Sequence, residues 1–319
     1  MALCIVTGGA GFIGSHLARR LIERGDEIFV LDDLSTGFQR NVPKGAVFYQ
    51  VDVGSINDLL ALKFPDKIDT IYHLAGQSSG EASFDDPLRD IKSNYIATYN
   101  ILKLAEMKYC RRFIFTSSMS VYGEIDGFTP VNEMHECNPQ SYYGCNKLAS
   151  EKLINVFIEK TGIIPTIFRL FNVYGPGQNM NNLKQGMVSI YMSYLMKDVP
   201  ILVKGSLDRF RDFIYVDDVV DGLISSEPCE KTFGEVFNIG TGQSTTVSEV
   251  LQTLLKIFQK DDFDRWIVVE GNTPGDLKGF TADISKLKAA IEWKPRYDIE
   301  QGIAEMKAWI DQTIDLWQD

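Results

Sequence analysis

Histidine is scarce in this 319-residue chain, and the three present, His16, His73 and His135, are scattered, so a catalytic metal is not expected. Cysteine is thin too: five residues, an odd number without paired or metal-type spacing, argue for free thiols in a reducing compartment rather than a disulfide framework. Cys4 is expected to pack in a strand and Cys145 to act only as a spacer. No apolar run approaches membrane-spanning length, and the N-terminus runs straight into a strand without a leader-like segment, so a cytoplasmic protein is expected. Positive charge is also short, with 32 Lys and Arg against 43 Asp and Glu and a formal net charge of −11. Nucleic acid is therefore not an expected partner, because neutralising its phosphates needs a basic surface. With 45% hydrophobic residues, the length supports one large domain or two around a sizeable core.

What is present begins at the N-terminus. Leu3-Cys-Ile-Val-Thr7 reads as a buried strand, Gly8-Gly-Ala-Gly11-Phe-Ile-Gly14 follows at once, and Phe12 to Arg24 has helical spacing. Without side chains at Gly8 and Gly11 the backbone can approach a pyrophosphate at a helix N-terminus, and Gly14 lets helix pack on strand. A second strand, Glu27-Ile-Phe-Val-Leu31, ends at Asp32, about 20 residues downstream, where a carboxylate would meet the adenosine ribose. Asp32 and Asp33 together would repel a 2′-phosphate, so NAD is expected over NADP; Arg40 is the one neighbour arguing otherwise.

Tyr143-Gly-Cys-Asn-Lys147 places a phenol and an ammonium four residues apart, on one face of a helix. There the cation is expected to lower the phenol pKa, and Ser118, or Thr116 beside it, can orient a substrate hydroxyl and relay its proton. With a nicotinamide site, that set removes a hydride and a proton from an alcohol.

Further strands are expected at Val47–Val51, Thr70–Leu74, Arg112–Thr116 and Pro165–Arg169, with helices near Pro87–Lys108 and Tyr142–Lys160. This alternation predicts an α/β fold with a Rossmann-type doubly wound parallel sheet. Helical patterns at Val188–Met196, Val216–Ser226 and Val247–Gln259 lie between short strands, so a smaller, discontinuous C-terminal α/β lobe should close over the sheet. The division expected is residues 1–172 for NAD, with parts of 213–240 returning to that domain, and mainly residues 173–319 for substrate.

These residues resemble the extended short-chain dehydrogenase/reductase family, and within it the NAD-dependent nucleotide-sugar epimerases and dehydratases. The likeness covers nearly the whole chain: Asp52-Val53, Tyr72-His-Leu-Ala75, Asn94, Thr116-Ser-Ser118, Val121-Tyr-Gly123, Arg169-Leu-Phe-Asn172, Arg211-Asp-Phe-Ile-Tyr215 with Asp217-Asp218, Phe237-Asn-Ile-Gly240 and Gly275-Asp276. It implies NAD contacts from Gly8, Gly11, Phe12, Ile13, Gly14, Asp32, Asp33, Ser35, Thr36, Gly37, Asp52, Val53, Leu74, Ala75, Gly76, Gln77, Asn94, Thr116, Tyr143, Lys147, Phe171 and Val173. It implies substrate contacts from Ser118, Ser120, Asn172, Gly186, Met187, Val188, Tyr191, Lys204, Arg211, Asp276 and Phe280. In the implied reaction Tyr143 is the base, Lys147 supports it and holds the nicotinamide ribose, and C4 of a nucleotide-diphosphate hexose, UDP-glucose or UDP-galactose, is inverted through a 4-keto intermediate. Phe280 would close the sugar pocket against N-acetyl groups. Pairing as a homodimer through four helices, near Asn94–Lys108 and Lys147–Lys160, is implied as well, with Ile101, Leu104, Leu153 and Phe157 as candidates for interface or core.

Two departures bear on the reaction. The related dehydratases carry Asp-Glu where this chain has Met119-Ser120, and the related decarboxylases usually have Glu at the position of Ser120. Oxidation and reduction at C4 is therefore the preferred reading, with a dehydratase using acids elsewhere, such as Glu81, as the alternative and a non-catalytic NAD-binding protein behind it. Gly271-Asn-Thr-Pro-Gly275 also lacks the Arg that clamps the diphosphate in the family's epimerases, leaving Lys278 or Lys204 to compensate or the nucleotide to sit differently.

Overall fold

A computed structural model describes residues 1–125, 130–271 and 278–317. Its centre is a seven-stranded, wholly parallel sheet: β1 (Leu3–Thr7), β2 (Glu27–Asp32), β3 (Val47–Gln50), β4 (Thr70–His73), β5 (Arg112–Ser118), β6 (Ile164–Leu170) and β7 (Val236–Ile239). The order across the sheet is β7-β6-β5-β4-β1-β2-β3. The chain thus winds outward in both directions from β1 and β4, and the crevice at their carboxyl ends is where such a sheet takes a ligand. This is the Rossmann-type sheet expected, with β7, from late in the chain, at its edge.

The strands read as apolar runs because both faces are covered. Cys4, Val6, Val30, Tyr72 and Ile114 face one core, and Ile5, Phe29, Leu31, Ile71 and Phe113 face the other. Helix α1 (Phe12–Glu23) buries Gly14, Leu17, Ala18 and Leu21, the one-face spacing of its sequence. The expected Pro87–Lys108 helix is built in three pieces: Pro87–Asp90, a π-helical turn at Ile91–Ile96, and α2 (Ala97–Met107). Helix α3 (Tyr142–Ile158) is capped by Ser141, whose hydroxyl accepts from the Gly144 N–H.

Beyond residue 173, helices α4 (Met187–Met196), α5 (Val216–Ser226), α6 (Val247–Ile257) and α7 (Ile299–Thr313) alternate with two- and three-residue strands. A capping box between Thr246 and Glu249 starts α6. Tyr174, Met192, Leu251, Trp266 and Ile303 form a third core. Helix α5 lies against α1, joined by Arg20–Asp221 at 2.7 Å and His16–Asp217 at 3.0 Å. At the far end of the chain, Trp317 packs edge-on against Phe38, and the Arg40 guanidinium lies 4.0 Å from the Phe38 ring centre and 5.1 Å from that of Trp317.

Candidate active site

Gly8 has φ +69°, and a Cβ there would lie 2.9 Å from the Ala75 nitrogen; a Cβ on Gly14 would lie 2.2 Å from the Gly8 carbonyl oxygen. The turn thus needs glycine to bring β1, β4 and α1 together, and it leaves the first N–H groups of α1 facing a bare backbone cradle that a pyrophosphate fits. Asp32 closes the cradle's rim: its carboxylate accepts from the Ala10 N–H at 3.0 Å and the Leu34 N–H at 2.8 Å. Burial pushes its carboxyl above the usual range against those bonds. Asp52 binds the Gly54 N–H and Lys92, both at 2.7 Å; burial alone would raise its carboxyl, but Lys92 holds it below the ordinary value.

From this cradle a cavity of about 820 Å³ runs along the strand ends. It is lined by Gly8, Gly11, Phe12, Ile13, Gly14, Asp32, Asp33, Ser35, Thr36, Asp52, Val53, Leu74, Ala75, Gly76, Gln77, Thr116, Tyr143, Lys147, Phe171 and Val173 of the expected cofactor set. Ser118, Ser120, Asn172, Gly186, Met187, Val188 and Arg211 of the expected substrate set line it as well. Residues not foreseen also reach it, among them Phe38, Ser78, Arg89, Lys92, Gln178 and Lys184. The loop holding Gln178 to Gly186 is strapped to the opposite wall, with the Ser79 hydroxyl donating to the Lys184 carbonyl at 3.0 Å and Lys184 pairing with Asp85 at 2.8 Å. No sequence period signals such a loop-to-loop seam.

At the β5 end of the cavity, the Ser118 hydroxyl lies on the Tyr143 side and donates to Ser120 Oγ at 3.1 Å, whereas the Thr116 hydroxyl donates to the His73 carbonyl at 3.3 Å; Ser118, not Thr116, is the hydroxyl whose influence reaches the Tyr143 phenol. The expected lowering of the Tyr143 pKa by Lys147 is not found. Burial pushes the phenol up to about 12 against the favourable influence of the Ser118 hydroxyl, and the charge of Asp90 pushes the same way. The Lys147 Nζ stands 5.9 Å from the Tyr143 ring centre and donates to the Thr116 carbonyl at 2.9 Å. Burial pulls Lys147 down to about 8, opposed by Asp90 and Glu151. The proton affinities of phenol and ammonium are thereby drawn apart by a dry site rather than together by their contact.

Several expected contacts lie off the cavity wall. Gly37 packs on the Ala10 backbone, with room for no Cβ. Asn94 is buried behind Gly76, its Nδ2 donating to the Gln77 carbonyl at 2.9 Å. Tyr191 belongs to the third core, and Lys204 is exposed. Phe280 is the largest correction. It is 2% exposed, in the core, edge-on to Tyr122 and Phe171, because Phe171 occupies the cavity side of that layer. Asp276, and the Asn272–Gly275 stretch lacking the clamp Arg, lie outside the described residues. Glu81 is not on the wall. Among the described lining residues the only carboxylates are Asp32, Asp33 and Asp52, at the ends of β2 and β3, across the sheet from Tyr143.

Known proteins are similar to this chain over nearly its whole length. A UDP-glucose 4-epimerase of Thermotoga maritima, solved with UDP-glucose, is 32% identical, superposes with a TM-score of 0.91, and covers 98% of this chain and 99% of its own. The Thermus thermophilus UDP-glucose 4-epimerase, solved with NAD, is 30% identical with a TM-score of 0.87, over 97% and 98%. UDP-glucuronic acid decarboxylase 1 of Arabidopsis thaliana is 31% identical over 95% of this chain and 68% of its own length. No helix among the described residues is long and apolar enough to cross a membrane. From residue 4 to residue 240 the sequence carries the family signature whose cofactor the glycine cradle and Asp32 fit, and the chain belongs to the NAD dependent epimerase/dehydratase family.

Proposed function

We propose that this protein inverts C4 of a nucleotide-diphosphate hexose, with UDP-glucose and UDP-galactose as its substrates, through a transient 4-keto sugar. The observation that carries the reading is the chemistry around Tyr143: hydroxyls from Ser118 and Ser120, a buried ammonium from Lys147, and no carboxylate on the cavity wall at that end among the described residues. Eliminating water or carbon dioxide calls for an added acid or base beside the sugar, whereas oxidation and re-reduction at one carbon need only a single group that takes a proton and gives it back.

NAD, bound from the glycine cradle to Lys147, supplies a hydride acceptor that is also the donor for the return. Tyr143 takes the proton of the sugar 4-hydroxyl and later returns it, with Ser118 fixing the hydroxyl in line. Lys147 holds a positive charge beside the phenol and so favours its ionised form in the reacting complex. The sugar nucleotide lies between the strand ends and the second lobe, against Asn172, Gly186 to Val188 and Arg211. Inversion requires the keto sugar to present its other face before reduction. We also read the protein as a cytoplasmic homodimer; the exposed Tyr95, Tyr99 and Val156 on the π-helical turn, α2 and α3 support the pairing, and Ile101 and Leu104, fully inside, are core.

Incubation with UDP-, GDP-, CDP- and dTDP-sugars, read by mass and stereochemistry, tests the reading. Unchanged mass with an inverted C4 is expected; loss of water or carbon dioxide overturns it.

A further inference from the structure

Asp90 is completely buried, and three neutral amides hold its carboxylate: Gln77 Nε2 at 2.8 Å and Asn94 Nδ2 at 3.1 Å on one oxygen, Asn146 Nδ2 at 2.7 Å on the other. These come from the cavity wall, the π-helical turn and α3, so a single carboxylate ties the three elements that surround the reacting end. No ion pair joins it to a cation among the described residues. Amides satisfy its lone pairs but carry no compensating charge, and a buried carboxylate with amides alone is an expensive arrangement for mere support.

Its counter-charge lies just across Asn94: a Cβ on Gly76 would touch Asn94 Oδ1 and stand 3.6 Å from Lys147 Nζ, so the amide that holds Asp90 lies beside that ammonium. Asn146 precedes Lys147 on α3, and the Lys147 ammonium is itself buried, with the Thr116 carbonyl as its one hydrogen-bond acceptor among the described residues and the Phe115 ring 4.8 Å away. The other groups facing Lys147 cannot neutralise it. Glu151, one turn along α3, gives its carboxylate to Arg169 at 2.7 and 3.0 Å and to the Ser117 hydroxyl at 2.5 Å. His73 on β4 stays neutral, and Tyr143 is a protonated phenol.

We propose that Asp90 is a positioning residue for the reaction, its fixed negative charge keeping Lys147 protonated in the closed site while its amide bonds set the spacing of wall, turn and helix. The inference rests on the role given to Lys147 above. Its test reads Lys147 directly, so a mistaken substrate would leave the result unchanged and show only in the sugar panel.

The test is an NMR titration of the NAD-bound protein carrying ¹³C-labelled lysine, with the Lys147 signal identified by its loss in Lys147→Met. In Asp90→Asn, which keeps the shape and removes the charge, the Lys147 midpoint should fall by about half a pH unit or more. In the unmutated protein the same signal should show a second, smaller inflection on the acid side as Asp90 takes up a proton, a measurement that does not depend on the variant folding. A Lys147 midpoint unchanged in folded Asp90→Asn, or an acid range without that inflection, would overturn the proposal.

Discussion

Thr7 gives its hydroxyl proton to the imidazole of His73. The Thr7 oxygen already accepts from the Leu74 and Ala75 N–H groups, at 3.1 and 3.0 Å, so its 2.8 Å contact with His73 Nδ1 must be a donation. The imidazole therefore carries its proton on Nε2 and donates to Thr98 at 3.1 Å, and Thr98 donates to the Asn94 carbonyl at 2.6 Å. One relay of hydroxyls and imidazole thus joins the cofactor wall to the π-helical turn.

The relay works only with neutral His73, and burial lowers its pKa to about 3 from an ordinary 6.5. The unfolded chain takes up the proton first as pH falls, so this contribution is whole above about 6.5 and is lost below it, at up to about 1.4 kcal/mol per pH unit. Urea unfolding from pH 7 to pH 5 should show that slope, and a folded His73→Gln variant should have a flatter one. Equal slopes would count against the neutral imidazole.

Tyr143→Phe should keep NAD and lose turnover by roughly 100-fold or more, the usual contribution of a positioned acid–base group. Rapid-quench assays on NAD-loaded protein measure this, and near-native turnover would remove Tyr143 from its role.

Asp32→Ala together with Asp33→Ala should weaken NAD and narrow its advantage over NADP, because two carboxylates at the end of β2 repel a 2′-phosphate. Calorimetric titration with both nucleotides decides this. Arg40 is engaged with Phe38 and Trp317, and a variant that bound NADP no better would show that discrimination lies elsewhere.

Phe280→Ala should cost about 3 to 5 kcal/mol of stability, as for a buried ring removed from a packed core. Because the ring lies behind Phe171, the variant should gain no activity toward N-acetylhexosamine nucleotides. Improved turnover of those sugars at unchanged stability would restore the gate that the sequence suggested.

The contrast between Phe280 and the glycine turn shows what a sequence exposes. Gly8, Gly14, Asp32 and the Tyr143–Lys147 spacing are local patterns, and local steric rules carry them directly into structure. Which way Phe280 faces depends on Tyr122 and Phe171, far away in the chain, and no period encodes that. The turn at Ile91–Ile96 was hidden for a related reason, since one extra residue in a helical turn leaves the apolar spacing nearly intact. Asp90 went unremarked because a carboxylate on a polar-looking helix reads as solvated until Gln77, Asn94 and Asn146 converge on it. The sign of the Tyr143 shift was missed because a cation nearly 6 Å from the ring centre counts for less than the loss of water around the phenol.

The contact of Phe38 with Trp317 joins the beginning of the cofactor wall to a segment far away in the sequence. β1, α1 and β2 can assemble early from neighbours in sequence, but the wall beyond Gly37 gains its outer support only once α7 has docked. Contacts of such long range are slow to form, because the intervening chain must first surrender its freedom. A folding intermediate in which this contact has not yet formed should therefore contain the glycine cradle without its clasp, and maturation of the nucleotide site waits on the second lobe.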